Sequence, residues 1–284
     1  MTSRRRFARH FSAAVDGIAD ARPSRRVGAL HALVLLGRDE PAHRPAIVDV
    51  ICALLRTPGT DGPIRLCATL LLAQRLHPGR REFWPEMSLD LTGATLTELD
   101  LTNCRVDGRL CLDGAVLQGQ TRLRGLIVGG VATLRGARFE ENAWLERTVF
   151  HGPASFDGAT FRGDAWFGEA LFGGWTSFSG ADFGGHAWFG SASFGAPVDF
   201  GHAIFRRSAG FRGAVVHHTV GLGGTTFLGP ARVSRRGEGW NIVAPGWRVV
   251  VDEDNQSVGR LLWVGHPELV EKPAMLDRSE PTPV

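Results

Sequence analysis

The most regular feature of the chain is a series of large apolar residues spaced alternately by five and six positions. Every phenylalanine after residue 100 falls on this series. Leucine and valine continue it backwards through Val106 and Leu101 to Leu91, and forwards to Val233. A helix repeats every ~3.6 residues and a strand every two, so neither element sustains such a spacing. The series therefore predicts a solenoid, in which the chain turns a corner every five or six residues.

The position two residues before each large residue holds a small side chain. The small residues include Ala143, Ala154, Ala159, Ala165, Ala170, Ala181 and Ala187. Alternate residues of a strand point to the same face, so the large and the small residue of each repeat both point inward. Glycines crowd the positions after the large residues, among them Gly152, Gly158, Gly163, Gly174 and Gly185. We expect these glycines to supply the permissive backbone angles of the corners.

Three segments resemble the unit of the pentapeptide-repeat family, Ala-(Asp/Asn)-Leu/Phe-x-x. They are Gly93-Ala94-Thr95-Leu96, Gly158-Ala159-Thr160-Phe161 and Gly180-Ala181-Asp182-Phe183. The resemblance covers about 145 residues and implies a right-handed quadrilateral β-helix with four short sides per coil. The chain departs from the family pattern by a sixth residue in every second repeat, so that a coil takes 22 residues. A left-handed hexapeptide β-helix is the main rival, and the repeated five-residue steps argue against it.

Three tryptophans follow the coil length. Trp144, Trp166 and Trp188 are 22 residues apart, and each comes just before a large inward residue. Because the residues on both sides of each tryptophan point inward, the indole rings are predicted to face out. They should also stack on one side of the solenoid.

The next side of the coil is predicted to carry a second apolar column. Val149, Leu171 and Val215 occupy the slot that corresponds to the tryptophans, and Ser193 interrupts them. Together the two columns predict an exposed apolar strip, which is typical of an interface with a protein partner or with a second copy, as in a homodimer. The alternative is that another part of the chain covers the strip, or that the rings merely stack on one another.

Residues 1–87 are predicted to form a small α-helical module. Apolar residues recur at helical spacing from Phe7 to Ile18. A second helix is expected from about Ser24, as its N-cap, to Gly37, and a third is opened by Pro45. The last helix is expected at residues 62–76.

Parts of this module add a second resemblance. Residues 25–33, 38–41 and 47–56 resemble the N-terminal region of many actinobacterial pentapeptide-repeat proteins. The resemblance concerns the arrangement of a helical module before a solenoid, and it implies no function for the module.

The solenoid itself is predicted at residues 88–233, where the central positions make nearly seven coils. Its two open ends need covering against edge-to-edge growth. The helical module would cover the first end. Residues 234–265 are predicted to form a β cap on the second, because the apolar runs 247–251 and 260–264 flank an acidic turn. Residues 266–284 are rich in proline and charge, which predicts a disordered tail.

Charge and cysteine usage add few functional signals. The helical module carries a net charge of +6, and the solenoid of −1. The four cysteines lack the close spacing of metal ligands, and no cofactor motif is present. Neither a secretory signal nor an apolar run long enough for a membrane span is found. These features favour a cytoplasmic protein without a cofactor or a metal.

Two other functions are considered. Members of the resembled family that protect DNA topoisomerases look like duplex DNA, which requires a dense field of carboxylates. Here the acidic residues of the solenoid are offset by a similar number of arginines, so DNA mimicry is disfavoured. Direct binding of nucleic acid by Arg4, Arg5, Arg6 and Arg9 is also disfavoured, because arginines and aromatic residues are not interleaved as a stacking platform requires. The second alternative is an enzyme whose site lies in a cleft between the helical module and the first coil.

Histidines are the nearest candidates for catalysis. His186 is expected one coil above Asp164 and two coils above Asn142 on an outer column, and His217 is followed by His218. A catalytic group needs a partly dry, concave site and a partner at hydrogen-bond distance. A convex rod provides neither, so the sequence favours a protein that is not an enzyme.

Overall fold

The computed structural model describes residues 2–236, 239–240, 247–251 and 258–263. Four α-helices come first: Thr2–Ile18 (α1), Pro23–Asp39 (α2), Arg44–Arg56 (α3) and Gly62–Leu76 (α4), with a short 3-10 helix at Pro41–His43. Helices α2, α3 and α4 each carry a proline in the first turn. Proline costs no hydrogen bond there, because the N–H groups of the first turn have no acceptor within the helix. Ser24 was expected as an N-cap, but α2 begins one residue earlier and Arg22 holds that position.

The chain then forms a parallel β-solenoid with four sides. Strands that lie 22 residues apart pair in register, so that Ala143 faces Ala165 and Ala165 faces Ala187. Successive strands visit the four sides in turn. The predicted fold is therefore confirmed as a parallel solenoid of about seven coils.

We number the sides in the order in which one coil visits them. Side 1 consists of Thr121–Arg122, Ala143–Trp144, Ala165–Trp166, Ala187–Trp188, Ala209–Gly210 and Ala231–Arg236. Side 2 consists of Arg105–Val106, Ile127–Val128, Val149–Phe150, Leu171–Phe172, Ser193–Phe194 and Val215–Val216. The two-residue strands reflect a chain that turns after every few residues.

Sides 3 and 4 lie opposite sides 1 and 2 respectively. Side 3 consists of Leu89–Asp90, Leu110–Cys111, Ala132–Thr133, Ala154–Ser155, Thr176–Ser177, Val198–Asp199 and Val220–Gly221. Side 4 consists of Thr95–Thr97, Val116–Gln118, Arg138–Phe139, Thr160–Phe161, Asp182–Phe183, Ile204–Phe205 and Thr226–Phe227.

Stacked phenylalanines fill the axis of the solenoid. Within a side the rings lie parallel from coil to coil, as between Phe156 and Phe178 (centroids 4.7 Å apart) and between Phe178 and Phe200 (5.0 Å). Between sides they meet edge to face, as Phe167 does with Phe178 at 5.4 Å. Both arrangements are favourable for aromatic rings. The predicted inward direction of the phenylalanine series is confirmed by the burial of these rings.

The corner glycines differ from the prediction in their physical role. Of the five named from the sequence, only Gly158 has a positive φ, at 63°. The others lie against the backbone of the preceding coil, and a Cβ added at Gly174 would come within 2.5 Å of the backbone nitrogen of Pro153. Close approach between coils, rather than backbone angle, therefore requires glycine at Gly174.

The helical module is continuous with the solenoid core. Arg65 is buried, and its guanidinium donates to the carbonyl oxygens of Leu55, Thr57 and Thr60 in the helical module and of Thr95 in the first coil. One buried cluster of apolar residues extends from the helices into the solenoid. The first end of the solenoid is thus packed against helices.

At the other end the strand Ala231–Arg236 extends side 1. It pairs in parallel with Ala209–Gly210 and antiparallel with Val258–Trp263, which in turn pairs antiparallel with Trp247–Val251. A short strand, Gly239–Trp240, pairs with Arg235 and Arg236 at the end of the strand Ala231–Arg236. The predicted tail at residues 266–284 lies outside the described residues.

Candidate protein-interaction surface

The three tryptophans of side 1 form a column, as predicted. The rings of Trp144 and Trp166 lie 5.6 Å apart with an angle of 5° between planes, and those of Trp166 and Trp188 lie 5.8 Å apart. The strand register causes this stacking, because each coil places the same slot directly over the one before. The rings point outward and are half-buried, since each covers part of the next.

Both ends of the tryptophan column are defined by other residues. Below Trp144 the same slot holds Arg122. The indole Nε1 of Trp144 donates to Oε1 of Gln120 at 3.1 Å, and the guanidinium of Arg124 lies 5.9 Å from the ring centroid. Above Trp188 the slot holds Gly210, where an added Cβ would come within 2.5 Å of the ring. The last indole is therefore covered from above by bare backbone.

The histidine considered for catalysis belongs to a structural column beside the tryptophans. Oδ1 of Asn142 accepts the backbone N–H of Asp164 at 2.9 Å, and Oδ1 of Asp164 accepts that of His186 at 2.7 Å. The ring of His186 stacks on Trp188 at 5.7 Å. These contacts place Asp164 against the backbone of the next coil, where it supports the stack. His217 and His218 are exposed at the corner after side 2.

Side 2 presents the second apolar column. Val149 lies in register with Leu171, and Leu171 with Ser193, so the predicted column is in place. Leu171 is 47% exposed, and Val149 is half-buried. Sequence reasoning omitted Ile127, which continues the column one coil below Val149. The 22-residue spacing could have found it.

The corner between sides 2 and 3 adds an apolar ridge that was also missed. Trp175 is 45% exposed and Val131 is 40% exposed. Pro153 lies between Val131 and Trp175, and Pro197 lies one coil beyond Trp175. Both prolines are exposed, and all four residues are spaced 22 apart. This slot is the extra residue of the six-residue repeats. It does not adjoin a large inward residue, so the sequence pattern gave no direction for its side chain. The apolar surface is therefore wider than the predicted strip.

Sides 3 and 4 present polar groups instead. The hydroxyls of Ser155 and Ser177 both donate to the carboxylate of Asp157. The guanidinium of Arg206 donates two hydrogen bonds of 2.7 Å to Asp182. These hydrogen bonds are the main cause of the raised pKa of Arg206. On side 4 the carboxylate of Asp182 is thus paired with an arginine of the next coil.

The helical module packs closely against the first coil, where the alternative of an enzyme requires a cleft. The Trp84 ring is buried between the guanidiniums of Arg44 and Arg75, at 5.5 and 5.9 Å from its centroid. Its ring would lie 2.5 Å from a Cβ added at Gly37. The Cys104 thiol, whose pKa is raised to about 12 by burial, also lies there and contacts the carbonyl of Ala73. These residues fill space rather than frame a cleft.

Two further properties concern metal binding and membrane crossing. Within the described ranges, no three histidine, cysteine, aspartate or glutamate side chains are grouped so as to hold a metal ion. None of the described helices combines the length and the apolar character that crossing a bilayer requires.

Comparison with known proteins identifies the repeat. A family model for pentapeptide repeats, in 9 copies, matches residues 112–159, 134–182 and 145–193. These overlapping segments lie inside the solenoid and include the coils that carry Trp144, Trp166 and Leu171. The match supports the resemblance drawn from the sequence. No curated protein and no solved structure was found to match the chain.

Proposed function

We propose that this pentapeptide-repeat solenoid is a non-catalytic scaffold that binds a protein partner or a second copy through its apolar surface. That surface comprises the tryptophan column, the aliphatic column of side 2 and the ridge around Trp175. The observation that carries the proposal is the set of neighbouring columns of outward apolar side chains, with Leu171 and Trp175 close to half exposed. The ion pair of Arg147 and Glu169 lies between the tryptophan column and the aliphatic column. Exposed apolar patches rimmed by polar groups are typical of interaction sites.

Aromatic residues make this surface suitable for binding. Tryptophan carries a large share of the energy at protein interfaces, because it buries much apolar area with little loss of conformational freedom. Here Trp144, Trp166 and Trp188 are already ordered by stacking. Their ordering lowers the entropy that a partner would otherwise have to remove.

The two alternatives are less well supported. A DNA mimic needs a surface of unpaired carboxylates, whereas Asp182 and Glu169 are paired with Arg206 and Arg147 at 2.7 and 3.0 Å. An enzyme at the junction needs a cleft, and the buried Trp84 and its neighbours occupy that region. The packing and the ion pairs therefore favour binding over catalysis or mimicry.

We also propose the division of the chain that its sequence suggests: a helical module at 1–87, the solenoid at 88–233, a β cap at 234–265 and a disordered tail at 266–284. The antiparallel pairing of Trp247–Val251 with Val258–Trp263 supports the cap. A cytoplasmic location and an actinobacterial type of helical module belong to the same proposal, and both rest on the sequence.

Affinity capture with paired variants tests the binding role. The triple change Trp144→Ser, Trp166→Ser and Trp188→Ser removes the tryptophan column but leaves the interior intact. A matched control replaces the column on side 4, with Thr160→Ser, Asp182→Ser and Ile204→Ser. We expect proteins retained by the unmodified chain to be lost by the tryptophan variant and kept by the control.

Circular dichroism of both variants checks that the fold persists. Equal retention of the same proteins by the tryptophan variant and the unmodified chain would remove the tryptophan column from the proposal. Loss of those proteins from both variants would show that capture depends on general stability and not on side 1.

A further inference from the structure

We infer that side 2 binds side 2 of a second copy, with the two rods antiparallel and a two-fold axis at Leu171. The inference rests on the proposed function and deepens it, because it names the occupant of one part of the apolar surface. A two-fold contact is self-complementary, so a residue one coil below Leu171 meets the residue one coil above it in the other copy. The outward residues of side 2 and its corners are arranged in that way.

Several apolar residues are balanced about the central coil. Leu171 and Trp175, the two most central, would each lie near their own counterparts across the axis. Pro153, one coil below Trp175, would meet Pro197 of the second copy, and both prolines are exposed. Ile127, two coils below Leu171, would meet Val215, so an apolar residue faces an apolar residue there.

Where the two residues that would face each other across the axis are not alike, a bulky residue usually meets a small one. The pairs are Val149 with Ser193, Glu146 with Gly190, Arg147 with Ser191, His151 with Gly195, and His217 with Gly129. Two rods of this shape interdigitate when antiparallel. When parallel, Ser193 would face Ser193 and leave a gap that no neighbouring side chain fills.

Charge at the centre is also compatible with the antiparallel contact. Glu169 would lie beside Glu169 of the second copy, which alone would be repulsive. Each Glu169 is already bound to Arg147 of its own chain at 3.0 Å, so two ion pairs meet rather than two bare carboxylates. The least favourable pair is Arg124 with Arg212, both exposed, at the rim.

The size of the contact sets the strength to expect. Five coils at ~4.8 Å are roughly 24 Å high, and a side with its corners is roughly 15–20 Å wide. The contact is then about 360–480 Å² per partner, which is the range of weak or transient interfaces. We expect a dimer that dissociates in the micromolar range or above.

Sedimentation equilibrium of the purified full chain tests the dimer over a range of concentrations. We expect the average mass to rise from one chain towards two. Leu171→Arg should weaken association at least about tenfold, because it places two charges on the axis. Ile204→Arg, on the opposite side of the same rod, is the matched control and should leave association unchanged. Arg212→Glu should tighten it, since it would then face Arg124.

Cross-linking tests the antiparallel arrangement. In chains with Cys67→Ser and Cys111→Ser, Pro153→Cys and Pro197→Cys are prepared separately and treated with a short bismaleimide. An equal mixture should yield cross-linked dimer, and either variant alone should yield several-fold less. Equal yields from the single variants would overturn the antiparallel geometry.

The failure of this inference can be told from that of the proposed function. A single-chain mass at every concentration, or a dimer unaffected by Leu171→Arg, overturns the side 2 contact. Neither result bears on capture through the tryptophans, because the indoles lie on side 1 and outside the proposed contact. Conversely, the triple tryptophan variant should still dimerise.

Discussion

Sides 1 and 2 of the solenoid differ from sides 3 and 4 only in what they present to water. All four sides share the same paired strands, and all four direct large apolar residues to one axis. Outward, side 1 carries stacked indoles and side 2 aliphatic residues, whereas sides 3 and 4 carry hydroxyls and ion pairs. Since the interior and the backbone hydrogen bonds between coils maintain the fold, most outward residues are free to specify what the rod binds.

The largest effect should come from the shared interior. Phe167→Ala, under side 1, and Phe178→Ala, under side 3, should each lower the free energy of unfolding by about 3–5 kcal/mol, through lost burial and a cavity. Phe227→Ala should cost less, because Phe227 lies in the last coil and is only partly buried. Denaturant unfolding measures all three.

The comparison fails if Phe167→Ala and Phe178→Ala differ by much more than the error of the measurement. A loss at Phe227 equal to that at Phe178 would contradict a stack that is closed most tightly at its middle.

A smaller effect should separate side 1 from side 3. A Cβ at Gly210 would come within 2.5 Å of the rigid Trp188 ring, and a Cβ at Gly221 within 2.5 Å of a carboxylate oxygen of Asp199. Gly210→Ala should cost about 1–3 kcal/mol, as overpacking does. Gly221→Ala should cost less, because the carboxylate can rotate away.

Tryptophan fluorescence of Gly210→Ala provides a second measure, since the indole of Trp188 must move. An unchanged spectrum together with unchanged stability would show that the column is looser than its geometry indicates.

The ion pairs of the polar sides should matter less again. Arg206→Ala removes an exposed pair with Asp182 and should cost at most about 1 kcal/mol. The loss should shrink further as salt is added, because salt screens exposed charges. Thermal unfolding at low and high ionic strength gives the difference. A loss as large as that of Phe178→Ala would mean that the polar sides help to hold the coil.

The smallest perturbation uses cysteine reactivity to distinguish inward from outward positions. Burial raises the pKa of the Cys104 thiol to about 12, so at pH 8 it should resist alkylation. Cys111 lies in an outward slot of side 3 and should react first. Mass spectrometry after brief treatment with iodoacetamide identifies the modified residue. Faster labelling of Cys104 would show that the first coil opens.

The repeat made the solenoid readable from sequence. A fixed spacing of centres determined the inward residues, the coil length and the stacking of Trp144, Trp166 and Trp188. Trp175 was missed because it occupies the extra residue of a longer corner, where no inward neighbours indicate its direction. Its 22-residue relation to Pro153 and Pro197 was nevertheless present in the sequence.

Contacts between distant segments could not be read in the same way. The buried Arg65 looks like any helical arginine until α4 is docked on the first coil, where it reaches the carbonyl of Thr95. The role of Gly174 likewise depends on the coil beneath it, because glycine is favoured at turns for several reasons. The N-cap of α2 lies two residues before the expected Ser24, because local capping preferences are weak beside packing.

The direction of the hydrogen bonds has a mechanical consequence. The bonds between coils, such as that from the N–H of Ala143 to the carbonyl of Asp164 (2.9 Å), run along the rod. Tension applied to the two ends therefore pulls each bond along its own length, and the coils nearest an end give way first. Each coil that detaches would release 22 residues, or roughly 75 Å of extended chain. Under load the protein should lengthen in equal steps, one step for each coil that detaches.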